Sequence, residues 1–102
     1  MMTISRTDEF SDWLHRLRDE RAKARIALRI DRLALGNAGD VRPVGAGLSE
    51  LRIDYGPGYR IYFLRRGKAL IVLLCGGDKD SQVCGIEQAK ALASRVREAD
   101  QR

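Results

Sequence analysis

Histidine, cysteine and proline are scarce in this 102-residue chain, and each scarcity excludes something. The single histidine, His15, falls on the exposed side of the first expected helix, and no Ser/His/Asp set or cluster of metal ligands surrounds it. The two cysteines, Cys75 and Cys84, lie outside metal-type spacing and make no disulfide framework, so both are expected to be reduced. No metal and no cofactor is expected. No apolar run approaches the roughly 18 residues of a membrane span, and the opening MMTISRTDEF lacks a signal peptide's hydrophobic region, so a cytoplasmic protein without a membrane partner is expected. Low-complexity tracts and internal repeats are absent. Gly45-Ala46-Gly47 reads as a turn and not as a nucleotide fingerprint.

What the chain does have is positive charge. Nineteen lysines and arginines against fourteen carboxylates give a net charge of +5, which favours an anionic partner, either nucleic acid or an acidic protein. With 44% hydrophobic residues the chain can bury one modest core, so residues 1–102 are expected to form a single domain.

Residues 2–5 are β-prone and predict a first strand. Thr7 is a good N-cap, with Asp8 and Glu9 in the first turn where the helix dipole favours anions. Phe10, Trp13, Leu14 and Leu17 then recur at helical spacing. A second helix is predicted over residues 21–35, burying Ala22, Ile26, Ile30 and Leu33 and stopping at Gly36-Asn37. Pro43 demotes residues 41–45 to an edge strand. Strands are predicted over 48–55 and 59–65 around the turn Gly56-Pro57-Gly58. Residues 69–75 are apolar on both faces, the mark of a central strand. Gly76-Gly77 is then expected to leave the sheet, and Asp78, Asp80 or Ser81 to cap a last helix with Ile86, Ala89, Ala93 and Val96 on its apolar stripe. The order β-α-α-β-β-β-β-α describes a small α+β domain: a mostly antiparallel sheet of four or five strands, two N-terminal helices on one face, and a C-terminal helix.

Two groups of residues can carry chemistry. On the second helix, Arg25, Arg29 and Arg32 fall at i, i+4 and i+7 and, with Lys23, form a basic face opposite the apolar one. It is either a solvated face or a surface for nucleic-acid phosphates. The other group lies in residues 50–63, ELRIDYGPGYRIYF. Strand parity puts Arg52 and Arg60 on one face, away from Leu51, Ile53, Ile61 and Phe63, with Glu50, Asp54 and Tyr62 beside them. A phosphate would relieve the repulsion between the two arginines, and so would Glu50 and Asp54 as a cross-strand ion-pair ladder. Lys79, just before the last helix, can reach the same face.

Three blocks together resemble a known group: WLxxLxD with KARIxxRIxRLxxGNxGD, then VGxGLxELRIDYGPGYRIYF, then LLxGGDKxxQxxxIxxAK. In this order over residues 7–93 they are similar to the RelE/ParE superfamily of bacterial toxins, nearest the HigB-like, phage-related addiction module killer branch. The resemblance implies a toxin neutralised by a cognate antitoxin, usually a helix-turn-helix protein that also represses the operon, so operator DNA is met only through the antitoxin. The RelE and HigB arms cleave mRNA on the ribosome without a metal, whereas the ParE arm blocks DNA gyrase. Arg60 matches the family arginine that contacts the scissile phosphate, Arg52 a neighbouring basic strand position, and Lys79 a further basic position. Tyr62 or Tyr55 is then the residue to stack an RNA base, Lys23, Arg25, Arg29 and Arg32 bind backbone phosphates, and Glu50 is the carboxylate nominated to move a proton. The C-terminal tyrosine of RelE has no counterpart, since Val83, Cys84 and Gly85 stand there, and the histidines of HigB proteins are missing as well. Gyrase inhibition, or a degenerate toxin that only binds its antitoxin and regulates the operon, are the alternatives to mRNA cleavage.

Overall fold

The computed structural model describes residues 1–100. The elements run β1 (Thr3–Arg6), α1 (Asp8–Arg16), α2 (Glu20–Ala34), β2 (Val41–Gly45), β3 (Leu48–Ile53), β4 (Tyr59–Arg66), β5 (Leu70–Asp78) and α3 (Gln82–Asp100). The five strands lie in the order β1-β5-β4-β3-β2, with β1 parallel to β5 and every other pair antiparallel. This is the small α+β domain that the hydrophobic pattern predicts. No helix among the described residues is long and apolar enough to cross a membrane.

Local chemistry sets the first helix. The Thr7 hydroxyl accepts from the Phe10 N–H at 3.0 Å, capping α1, and donates to the Leu74 carbonyl of β5. One side chain therefore both starts the helix and ties it to the sheet. Asp19 caps α2 in the same way, through the N–H groups of Arg21 and Ala22.

Helices cover both faces of the sheet. On one, Phe10 of α1 and Ala22, Ile26, Ile30 and Leu33 of α2 pack on Leu51, Ile53, Ile61, Phe63, Ile71 and Leu73. On the other, Ala89, Leu92 and Ala93 of α3 pack on Leu48, Tyr62, Leu64, Val72, Leu74 and Cys75. Fully burying each large side chain of this kind stabilises the fold by roughly 1.5–3 kcal/mol.

Two details differ from the sequence reading. β3 ends at Ile53, so Tyr55 belongs to the connecting turn and not to the strand. Gly76-Gly77 does not leave the sheet: β5 runs on to Asp78, pairing Gly76 with Ile61 and Gly77 with Arg60. The reason is a bulge. Tyr62 pairs with Cys75 but Phe63 with Leu73, so Leu74 is an extra residue and the alternation reverses beyond it. Gly76 consequently faces α1, where the Trp13 ring lies directly on its backbone. Gly77 turns to the α3 side and puts no side chain beside Arg60.

Cys75 is buried in the sheet and Cys84 is exposed on α3, and both are free. Burial pushes the Cys75 thiol up to about 12 from its ordinary 9.0. Below pH 9 folded and unfolded chains both hold this proton. Between pH 9 and about 12 the unfolded chain releases it while the folded chain keeps it, so stability falls as pH rises through that window. Denaturant midpoints measured from pH 8 to pH 11 are expected to decline less steeply for Cys75→Ala than for wild type; identical slopes would contradict this.

Candidate functional site

The β3–β4 pairing sets Arg52 directly opposite Arg60, and β4–β5 sets Arg60 opposite Gly77. Across this row no helix packs on the sheet face. α3 sits on the next row, Glu50–Tyr62–Cys75, and stops short of the arginines. The result is a cleft of about 370 Å³ lined by Asp40, Arg52, Asp54, Gly56, Pro57, Gly58, Arg60 and Lys79. That size is at the lower end of pockets that hold small ligands. Arg52, Arg60 and Lys79, nominated from sequence, do converge there.

Directly opposed strand residues have Cβ atoms about 5 Å apart, so the two arginines are close enough for their like charges to repel. Glu50 opposes this repulsion. Its side chain is fully buried, yet it accepts from Arg52 Nε at 2.7 Å and from Gln82 Nε2 of α3 at 2.8 Å, and Arg60 Nε lies 3.7 Å away. The bond to Glu50 is the main reason the Arg52 guanidinium holds its proton more tightly than usual. The ladder partner expected from sequence is therefore present, as an internal anion beneath the arginines. It neutralises one of the two charges and engages their Nε edges. Arg60 is 11% exposed and Arg52 30%, so both are largely fixed in place.

Several sequence expectations change. Glu50 has both carboxylate oxygens engaged and no exposed surface, so it cannot serve as a base for a bound substrate. Tyr62 is also fully buried: its ring lies against Gly85 of α3, its hydroxyl is 3.5 Å from the Gln82 carbonyl, and burial pushes that hydroxyl well above the ordinary tyrosine range. It has no face to offer a base. Tyr55 packs on the α1/α2 side, its hydroxyl donating to Asp19 at 3.1 Å and its ring beneath the Arg25 guanidinium at 4.7 Å. Neither tyrosine lines the cleft.

The basic residues of α2 are similarly divided. Arg29 donates to the carbonyls of Arg52 at 2.8 Å and Ala38 at 3.0 Å, so its guanidinium braces the back of β3 and is not free to hold RNA. Lys23 lies 3.9 Å from Glu20 and 3.5 Å from the His15 carbonyl. Arg25 and Arg32 stay exposed and, with Leu28, Arg29, Ile53 and Asp54, line a groove along the helix. The arginine row thus flanks the buried stripe instead of opposing it. Asp54 lines both groove and cleft, which are neighbours.

Three residues of the site were not legible as such. Asp40 reaches the cleft because its carbonyl accepts from the Arg52 N–H at 3.0 Å, while its carboxylate is 3.6 Å from Arg42. Gln82 arrives from α3. Asp54, read as a ladder partner, is instead an exposed carboxylate at the cleft with no hydrogen bond or ion pair among the described residues. Parity along β3 was the available signal for Asp54; for Asp40 and Gln82 there was none.

The cleft can hold an anion between two preorganised guanidinium forks and an ammonium, with one unengaged carboxylate at its rim. Comparison with known proteins supports the phage-related part of the resemblance. The family model described as Phage derived protein Gp49-like (DUF891) matches residues 12–102. An uncharacterized protein of Haemophilus influenzae is 50% identical over 93 residues, which cover 91% of this chain and 94% of that protein.

Proposed function

Because the chain belongs to the Gp49-like family of phage-derived proteins, a family associated with toxin–antitoxin addiction modules, we propose that it is the toxin of such a module and cleaves messenger RNA on the ribosome. One observation carries the reading: two side-by-side guanidinium groups and a lysine around an open cleft, with Glu50 holding the arginines from below. The resemblance to the RelE and HigB toxins supports cleavage over gyrase inhibition, since ParE-type chains tend to lack this basic strand constellation.

In the proposed reaction a ribose 2′-oxygen attacks the adjacent phosphorus. The O2′–P bond forms as the P–O5′ bond breaks, leaving a 2′,3′-cyclic phosphate and a 5′-hydroxyl. Arg52 and Arg60 donate from their Nη edges to the non-bridging oxygens, where charge grows in the phosphorane. Asp54 takes the 2′-hydroxyl proton, and Lys79 gives a proton to the departing 5′-oxygen. The ribosome supplies the base stacking and in-line orientation that Tyr62 and Tyr55, both outside the cleft, do not.

The test uses the purified chain with ribosomes translating a defined message. Primer extension is expected to find cuts inside the reading frame, and a single 2′-deoxyribose 5′ of the cut should abolish that cut. Asp54→Asn is expected to lower the cleavage rate by about 10²–10⁴-fold with little change in KM. An uncut message contradicts the reading; cleavage by Asp54→Asn at the wild-type rate removes Asp54 from it.

A further inference from the structure

Glu50 is buried and Gln82 half-buried, and each cation-bearing residue of the cleft is connected to one of them. Arg52 and Arg60 meet Glu50 directly. Lys79 is three residues before Gln82, whose backbone N–H donates to the Lys79 carbonyl at 3.4 Å while its side chain donates to the second Glu50 oxygen at 2.8 Å. The start of α3 is pinned to the same place by the Tyr62 hydroxyl near the Gln82 carbonyl and by the Cys75 thiol, 3.6 Å from the Gly85 carbonyl. The Arg60 Nε atom, although buried, has no hydrogen-bond partner among the described residues. Its hold on Glu50 is at ion-pair range only.

We infer that Glu50 is an internal counter-anion that positions all three cations of the cleft, Arg52 and Arg60 directly and Lys79 through Gln82, so that an external oxyanion and Glu50 share one pair of arginines. This rests on the reading of the cleft as a phosphodiester site. Glu50 takes the Nε edges, and of the Nη groups only Arg60 Nη1 is engaged among the described residues, donating to the Tyr59 carbonyl at 3.3 Å. With Glu50 in place the arginine pair carries one uncompensated charge, which suits the single charge of an internal phosphodiester. Glu50 and Gln82 are positioning residues, since neither reaches the reacting atoms.

Glu50→Gln keeps the shape and removes the charge, so the two guanidinium groups then lie together with no anion between them. Its thermal midpoint is expected to fall by on the order of 10 °C in chloride buffer. Replacing chloride with about 100 mM inorganic phosphate at equal ionic strength should recover much of that loss while shifting wild type far less, because the added anion binds where the charge was removed. A purely structural Glu50 would leave both proteins equally insensitive to phosphate. If Glu50→Gln does not fold, the double variant E50Q/R52A, with one cation removed, is expected to fold again; its failure to fold would overturn the inference.

Gln82 gives the independent arm. Binding of a single-stranded RNA of about ten nucleotides, read by fluorescence anisotropy, is expected to weaken several-fold in Gln82→Ala, and Lys79→Ala should cost less affinity in that background than in wild type. Equal phosphate responses of wild type and Glu50→Gln, together with additive Lys79 and Gln82 effects, overturn the proposal. If wild type binds no RNA, the phosphodiester reading of the cleft fails instead, and the phosphate response still decides the role of Glu50.

Discussion

Arg60→Ala is expected to give a folded protein that still binds its antitoxin and no longer arrests growth. The side chain is 11% exposed and lines the cleft, and its polar contacts among the described residues are the carboxylate of Glu50 at 3.7 Å and the Tyr59 carbonyl at 3.3 Å. Removing it leaves Glu50 paired with Arg52 at 2.7 Å and with Gln82 at 2.8 Å, so no buried charge is stranded. The core residues Ile61 and Phe63 on the other face of β4 are untouched. The loss is therefore of phosphorane stabilisation, and removal of one such preorganised donor costs about 10²–10³ in rate, or roughly 2.7–4 kcal/mol. Growth curves after induction, with circular dichroism and antitoxin co-purification on the same variant, read all three properties. Full growth arrest by a folded Arg60→Ala protein would take Arg60 out of the mechanism.

The largest stability effect is expected from a single methyl group at Gly76. A Cβ built there would lie 2.3–2.5 Å from three atoms of the Trp13 ring, closer than any real contact. The ring cannot easily retreat, since it packs against Phe10 at 5.8 Å and edge-on to Tyr59 at 6.2 Å between centroids. Overpacking of this kind costs about 1–3 kcal/mol and occasionally more, so Gly76→Ala is expected to lower the urea midpoint clearly without changing the slope. The diagnosis is steric and has its own control: with Trp13 already replaced by alanine, the same Gly76→Ala change should cost almost nothing further. A Gly76→Ala protein as stable as wild type would show that the Trp13 contact does not require glycine. The end of β5 also carries Gly77 and leads to Lys79, so a shifted Trp13 disturbs the cleft from the opposite face of the sheet.

Much of the frame was readable because local rules and burial point the same way. Thr7 before Asp8-Glu9 and the Phe10, Trp13, Leu14 stripe specify α1, and alternation across ELRI and YRIYF puts Arg52 and Arg60 on one face. What was not readable depends on covering and on reach. Tyr62 shares the arginine face by parity, but α3 covers its row and leaves theirs open, and α3 carries only a weak apolar stripe in sequence. Gly76-Gly77 reads as a strand breaker by composition; only the bulge at Leu74 and the Trp13 ring explain why glycine is needed inside the strand. Arg29 fits a helical basic stripe perfectly well, yet its hydrogen bonds to the backbone at residues 38 and 52 are tertiary. Gln82 meets Glu50 across 32 positions of sequence, a separation no local pattern encodes.

Inducing the gene in bacteria, then mapping mRNA 5′ ends while scoring the DNA-damage response, tests the central claim most directly. The account predicts new 5′ ends inside translated frames that vanish with Arg60→Ala, and no DNA damage. DNA damage with intact messages, or growth without either change, would contradict it.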